Sequence, residues 1–489
     1  MTRARREKLS PVDNAWLRMD RPGNLMTICG VLMFAEPLDV ARVRAMLERR
    51  FLRFARFRER PVERADGAYW EASSGFRLDD HLVIARLPRG DADQALKDYV
   101  SSLIATPLPA GRPRWQFHVI PRYRQGSVLI ARVHHCYADG IALVRVMLSM
   151  TDSAPDGPPA MPFEAPPRRR AGEEAAGDDP LSQILAPVGN VMDTARKLGR
   201  MLIDKGAAIW SDPARAVAFA QQGSALTAEV ARLALMSQDS PTRFKGTVTQ
   251  GKRVAWTDPL ALDDVKAVGK ALGASVNDVL LACVAGALRD YLTEHGDGVD
   301  GVTVRALVPV NLRPVEQAWK LGNRFGLVFL ELPLGIGNPV ERLYAVRANM
   351  RALKDSCQPL VALGLLAAMG AGPRALQEAL LVALARNATA VMTNVPGPQQ
   401  PLYLAGSRID RLMFWVPQSG DIGMGVSIIS YGGIVQFGLV TDEGLCPDPD
   451  RIAARFGEEF EKLLLVTLMS PWPFEGDLDP ALAAAVAAA

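Results

Sequence analysis

The stretch VHHCYADGIAL places two of the chain's five histidines, His134 and His135, side by side, with Asp139 and Gly140 a few positions on. Imidazole titrates near neutrality, so a histidine here can take a proton from an alcohol or thiol and return it to a leaving group. Neighbouring side chains of an extended strand face opposite ways, so only one of the pair is expected to meet a reacting group. Imidazole and carboxylate also bind metals, but His135 and Asp139 lack a third partner of HExxH or CxxC type, and no metal site is expected. Asp139 equally suits the cap of a helix beginning at IALVRVML. A serine nucleophile would sit on a GxSxG elbow, and GVSII lacks the second glycine. PLGIGNP and GDIGMGV fit neither a dinucleotide fingerprint nor a Walker loop. Direct group transfer between two bound substrates is the chemistry left.

The residues before the histidines, SVLIARVHH, have the character of a buried strand, and ADGIALVRVMLSM continues at helical spacing. The motif therefore belongs at a strand-to-helix junction, where reacting groups are often carried. Around it, TICGVLMFA and WQFHVIPRY read as strands and DVARVRAMLERRF as a helix, giving a mixed α/β unit over 1–152. A proline-rich, charged linker and an amphipathic helical bridge are expected over 153–246. Alternation returns over 247–489 in RVAWTD, SVNDVLLACVAGALRDYL, TVRALVPVNL, RFGLVFLELPL, GVSIISY and IVQFGLV, a second α/β unit.

The chain has 489 residues, 49% hydrophobic and 22% charged, with a formal net charge of +3. That is a globular composition with no field suited to nucleic acid. Five scattered cysteines argue against a disulfide framework and for a reducing, cytoplasmic setting. The basic amino terminus has no apolar segment behind it, and the uncharged run over 360–373 is too short to cross a bilayer.

HHCYADG fits the HHxxxDG pattern of the CoA-dependent acyltransferase superfamily, which includes chloramphenicol acetyltransferases and peptide-synthetase condensation domains. LSPVDNAWLRMD, PRWQFHVI, SVNDVLLACVAGALRDYL, VPVNLRP, GNRFG, NVPGP and GVSIISYGGIVQFGLVTD follow in order from 9 to 442. Together they resemble the bacterial bifunctional wax ester synthase/acyl-CoA:diacylglycerol acyltransferases. The resemblance implies an α/β fold of two chloramphenicol-acetyltransferase-like domains with an active-site tunnel between them. It implies that His135 is the general base, that no covalent acyl-enzyme forms, and that His134 supports it. Asp139 is implied to pair with an arginine, for which Arg56 or Arg58 is the first choice and Arg313 the second. Gly140 is implied to keep space for the acyl carbonyl.

Asn277 and Asp278 match the family's ND motif, either lining the site or starting a helix. Thr393, Asn394, Pro396 and Gly397 are expected to shape a turn beside the tunnel, the first two against substrate. The implied partners are acyl-CoA, a substrate rather than a cofactor, and diacylglycerol or a long-chain alcohol. For 197–209 and 360–369 ordinary packing between domains is the favoured expectation, with peripheral contact with a membrane or lipid droplet as the alternative. PRWQ has arginine where the family commonly has leucine, and GNRFG departs from the usual GNxxS ending, which bears on substrate preference or local packing. An acyl group taken from a carrier protein, and a non-catalytic lipid-binding protein, are the competing functions.

Overall fold

The computed structural model describes residues 6–160, 201, 203, 225–313, 321–354 and 356–469. Two large mixed sheets organise them. Numbering only their strands in chain order, the first half contributes β1 (Thr27–Phe34), β2 (Leu82–Ile84), β3 (Trp115–Tyr123) and β4 (Gly126–His134). The second half supplies β5 (Lys252–Trp256), β6 (Thr303–Asn311), β7 (Phe325–Pro333), β8 (Ala390–Pro396), β9 (Tyr403–Leu404), β10 (Ser407–Trp415), β11 (Met424–Tyr431) and β12 (Ile434–Asp442). The first sheet runs β9-β10-β1-β4-β3-β2 and the second β7-β6-β8-β11-β12-β5, with the short unnumbered strand Leu260–Ala261 also paired to β12.

One hairpin, β9 and β10, crosses between them. β10 lies in sequence between β8 and β11 of the second sheet, yet pairs antiparallel with β1, Trp415 opposite Cys29 and Ile409 opposite Phe34. The expected units 1–152 and 247–489 are corrected here, because 403–415 completes the sheet of the first half. Strand-forming residues such as RLMFW fit either sheet, so hydrophobic pattern alone gives no sign of the exchange. Of the expected linker and bridge, 161–200, 202 and 204–224 lie outside the described residues.

Helix α1 (Pro11–Arg18) begins at Ser10, whose hydroxyl accepts the Asp13 N–H at 3.1 Å, with Pro11 in the first turn where no amide partner is required. Helix α2 (Gly140–Met150) follows β4 directly, and α3 (Val276–Glu294) is the long helix of the second half. Helix α4 (Gln358–Ala371) packs on α1 so closely that a Cβ on Gly370 would stand 1.5 Å from the Pro11 carbonyl oxygen. Glycine is therefore required at this crossing. Asn14 Nδ2 donates to the Gly370 carbonyl at 2.6 Å, fixing the register of the two helices.

The apolar run over 360–369 is accounted for by this packing. Val361, Leu363, Leu365, Leu366 and Met369 are buried against α1 and β7, which is the packing expected of this run rather than its lipid-contact alternative. The other segment with that pair of readings, 197–209, lies outside the described residues apart from 201 and 203. No single helix among the described residues is long and apolar enough to cross a membrane.

Candidate active site

β4 runs into the histidines with its backbone paired on both sides, Thr27 of β1 opposite His134 and Trp115 of β3 opposite Val133. The chain then leaves the sheet, and its next five residues form a buried loop that ends in the cap of α2. Asp139 is that cap: its Oδ1 accepts the Ala142 N–H at 2.9 Å. Its Oδ2 accepts from Arg313 Nη2 at 2.6 Å and from the Arg324 N–H at 2.9 Å. Arg313 and Asp139 are both buried, so the partner is the arginine of VPVNLRP.

The first choice of partner is corrected. Arg56 lies over the Trp70 ring at 4.3 Å and bonds Glu7 at 2.9 Å, while Arg58 is exposed. Proximity in sequence does not favour either, because residues 313 and 322–324 from the other half are laid along the motif. Arg313 Nη2 also bonds the Gly322 carbonyl at 2.6 Å, Gly322 N–H donates to the Tyr137 carbonyl at 3.2 Å, and Asn323 Nδ2 donates to the His135 carbonyl at 2.8 Å. The second half thus supplies hydrogen bonds to positions 135, 137 and 139 in turn.

The two histidines have different environments. His134 accepts the Cys136 N–H on Nδ1 at 3.1 Å and turns Nε2 toward the Asp20 carboxylate at 3.6 Å. Burial pushes the His134 imidazole down, with Asp20 pulling the other way. Burial also works to raise Asp20, but His134, the Met26 N–H and Arg114 outweigh it and hold that carboxyl below its usual range. Arg114, the arginine of PRWQ, bonds Asp20 at 3.3 Å, so this departure from the family pattern is built into the support of His134. Trp115 beside it is fully buried and donates Nε1–H to the Phe57 carbonyl at 2.8 Å.

His135 stacks on Trp16 of α1, ring centroids 4.1 Å apart and planes 17° from parallel, with Phe325 of β7 at 5.6 Å. It lines a cavity of ≈130 Å³ together with Trp16, Gly140, Asn311, Thr393 and Phe414. Burial pushes its imidazole down to about 4, against the pull of the Asp139 carboxylate. The ring is therefore neutral across the physiological range and has a lone pair available. Next to this cavity lies an almost wholly apolar chamber of ≈100 Å³, with Gly30, Phe117, Leu143, Met147 and Leu404 in its wall. Gly140 and Phe414 line both spaces, and a Cβ built on Gly140 meets nothing within 4 Å. Its missing side chain leaves open space at the junction.

Thr393 and Asn394 line the cavity as residues of strand β8 rather than of a turn. Thr393 Oγ1 donates to the Val426 carbonyl at 3.3 Å, and Asn394 Nδ2 donates to Asn277 Oδ1 at 2.8 Å. Asn277 therefore stands behind the wall. Asp278 closes a capping box, accepting from the Ser275 N–H at 2.9 Å and its hydroxyl at 2.8 Å, which is the helix-start reading of the ND pair. Neither ND residue is part of the cavity wall, a correction to their expected place against substrate. Pro396 ends β8, and Gly397 N–H donates to the Ser430 carbonyl at 2.7 Å where a Cβ would clash at 2.5 Å.

Trp16, Phe325, Phe414 and Asn311 are among the wall residues that the sequence left without a role. Trp16 and Phe325 fall inside the motifs LSPVDNAWLRMD and GNRFG. Phe414 is reached only through the crossing strand.

The chain matches the wax ester synthase/diacylglycerol acyltransferase catalytic domain over residues 9–280 and the WS/DGAT C-terminal domain over 321–464. A putative diacylglycerol O-acyltransferase of Mycobacterium tuberculosis strain CDC 1551 / Oshkosh is 26% identical over 481 residues, covering 94% of this chain and 90% of the relative. A probable diacylglycerol O-acyltransferase of strain ATCC 25618 / H37Rv is 26% identical over 475 residues, covering 93% and 98%. Among solved structures, a wax ester synthase/diacylglycerol acyltransferase from Marinobacter aquaeolei VT8 superimposes with a TM-score of 0.66 at 21% identity, over 94% of this chain and 99% of that one. The first condensation domain of the calcium-dependent antibiotic synthetase follows at 0.55 and 14%, over 97% and 99%, and these two likenesses speak to the fold alone. With both family domains matched in order over most of its length and the HHxxxDG loop stitched between them, the chain belongs to the wax ester synthase/diacylglycerol acyltransferase family of acyl-transferring enzymes.

Proposed function

We propose that this enzyme moves a long-chain fatty acyl group from acyl-CoA to the hydroxyl of diacylglycerol or a long-chain alcohol, releasing triacylglycerol or wax ester and free CoA. One observation carries the reading: a buried, neutral His135 lies in the wall of a cavity that adjoins an apolar chamber at Gly140, and among the described residues no serine or cysteine lines either space. A wall without a thiol or serine hydroxyl favours direct attack over a covalent acyl-enzyme.

In the proposed step, His135 takes the proton of the acceptor hydroxyl as its oxygen attacks the thioester carbonyl. The tetrahedral intermediate then collapses with cleavage of the C–S bond, and the imidazolium returns the proton to the CoA sulfur. Positioned proton transfer of this kind contributes about 10²–10⁴-fold. Holding donor and acceptor against one imidazole adds the advantage of proximity. The apolar chamber suits the methylene chain of the acyl group, at about 0.8 kcal/mol per buried CH₂. No cofactor is required. Acceptors insoluble in water would be met at a lipid surface, so the proposal includes peripheral contact with a membrane or lipid droplet on the cytoplasmic side.

The test is CoA-thiol release from palmitoyl-CoA with hexadecanol and dipalmitoylglycerol offered separately, beside His135→Ala. Release that requires an acceptor and collapses in the variant while acyl-CoA binding survives supports the proposal, and the better acceptor names the product. Turnover only with an acyl-carrier protein would replace acyl-CoA as the donor. Binding without turnover under every condition would reject the enzyme reading of this site.

A further inference from the structure

The His135 ring is framed by more than the stack on Trp16. Asp13, one turn before Trp16 on α1, is buried and accepts both the Asn323 N–H at 3.0 Å and Asn323 Nδ2 at 2.8 Å on Oδ1. Its Oδ2 accepts the Ser10 hydroxyl at 2.7 Å. The same Asn323 Nδ2 donates to the His135 carbonyl at 2.8 Å, so both amide protons are committed. Flipping the amide would set Oδ1 against a carboxylate and a carbonyl, two acceptors, and the orientation is thereby fixed. Asn323 Oδ1 is left buried with no hydrogen bond, and so is His135 Nδ1.

These are complementary orphans, an acceptor and a potential donor, on two residues already joined through the His135 carbonyl. A buried polar atom left unpaired costs about 1–3 kcal/mol, and the Asn323 side chain, with the His135 carbonyl, pulls the imidazole up against its burial, so two such atoms retained on joined residues call for a reason. We propose that Asn323 is a positioning residue for His135: its Oδ1 receives the His135 Nδ1–H in the working enzyme, keeping Nε2 free as the base and steadying the imidazolium while it holds the substrate proton. Asp13 acts one step further out, by aiming the amide. The role of the Asp13–Asn323 pair is thus electrostatic and orientational, and Asn323 itself touches no substrate.

This inference rests on His135 being the base, and the experiment separates the two. Two-bond ¹H–¹⁵N spectra of histidine-labelled protein, with His135→Ala identifying the resonance, report which ring nitrogen carries the proton. In the wild-type protein Nδ1 is expected to be protonated. In Asn323→Leu the signal is expected to shift toward the other tautomer, with kcat falling about 10²-fold and KM for palmitoyl-CoA staying within about threefold. Asn323→Ser, which keeps a smaller oxygen acceptor, is expected to regain part of kcat.

Protonation of Nε2 in the wild-type protein overturns the inference even if no variant folds. An Asn323→Leu enzyme with unchanged tautomer and kcat overturns it as well. Loss of kcat, KM and thermal stability in parallel, without recovery in Asn323→Ser, would reduce Asn323 to a packing residue. If His135→Ala keeps its activity, the base assignment fails on its own account, whatever the tautomer.

Discussion

Asp139→Ala is the perturbation whose cost can be worked out most fully. The carboxylate accepts three hydrogen bonds, from the Ala142 N–H, Arg313 Nη2 and the Arg324 N–H. Losing the helix cap costs about 1 kcal/mol. Leaving a buried guanidinium without its anion costs about 3–5 kcal/mol. The sum, about 4–6 kcal/mol, is a large part of the usual 5–15 kcal/mol that keeps a protein folded. Removing both charges should hurt less than removing one, since a buried ion pair can be replaced by packed apolar groups at little net cost. Asp139→Leu with Arg313→Met is therefore expected to recover at least about 2 kcal/mol relative to Asp139→Ala, although the cap stays lost. Urea unfolding followed by tryptophan fluorescence, with midpoints compared at constant slope, measures all three proteins. Activity should be lost in both variants, because Arg313 and the Arg324 N–H no longer hold the loop that carries His135. An Asp139→Ala protein within about 1 kcal/mol of wild type, or a double variant no more stable than the single one, would refute the reasoning.

Four further outcomes follow from the same geometry. Because burial holds His135 down to about 4, the acid limb of kcat/KM should lie well below the ordinary histidine value of 6.5, and a limb at or above it in the pH profile would contradict the site described. His118 is likewise pushed down to about 4 by burial, so the unfolded chain takes up protons first at both positions. Stability is then full above about pH 6.5 and falls toward pH 4, by up to about 3 kcal/mol per histidine, which unfolding midpoints across that range will show. Gly30→Val should fill part of the apolar chamber, since a Cβ there meets only atoms at 4.0 Å. Excluding about three methylenes at 0.8 kcal/mol each predicts a roughly 50-fold shift in relative kcat/KM from palmitoyl-CoA toward octanoyl-CoA. Gly370→Ala should force α4 away from α1 and displace Trp16 from His135, lowering the melting temperature and kcat together.

Much of this site could be read from the order of residue types. β3, β4 and α2 fall where hydrophobic runs and the Asp139 cap place them, because strand and helix periods are local properties. The bearing of His135 on a reaction followed from a motif rather than from periodicity. What escaped was long-range. The choice of Arg313 over Arg56 depends on a segment 174 residues away from Asp139, and no local rule selects between arginines. The ND pair left two readings open because a capping box and a substrate contact call for the same residue types. Trp16 sits in a helix whose pattern says only that one face is buried, and its partner ring is known only once the sheets are assembled.

The crossing of β10 also sets an order of events in synthesis. Until residue 415 has been made, the first sheet ends at β1, whose edge has no neighbour. At 5–20 residues per second, the ribosome needs roughly 15–55 s to travel from the end of β4 to the end of β10. Throughout that interval an eight-residue strand of sequence TICGVLMF stands as an open template for another chain's backbone. The nascent chain is therefore exposed to mispairing at this edge until its own strand arrives, and a chaperone that shields β1 during elongation would raise the yield of folded enzyme.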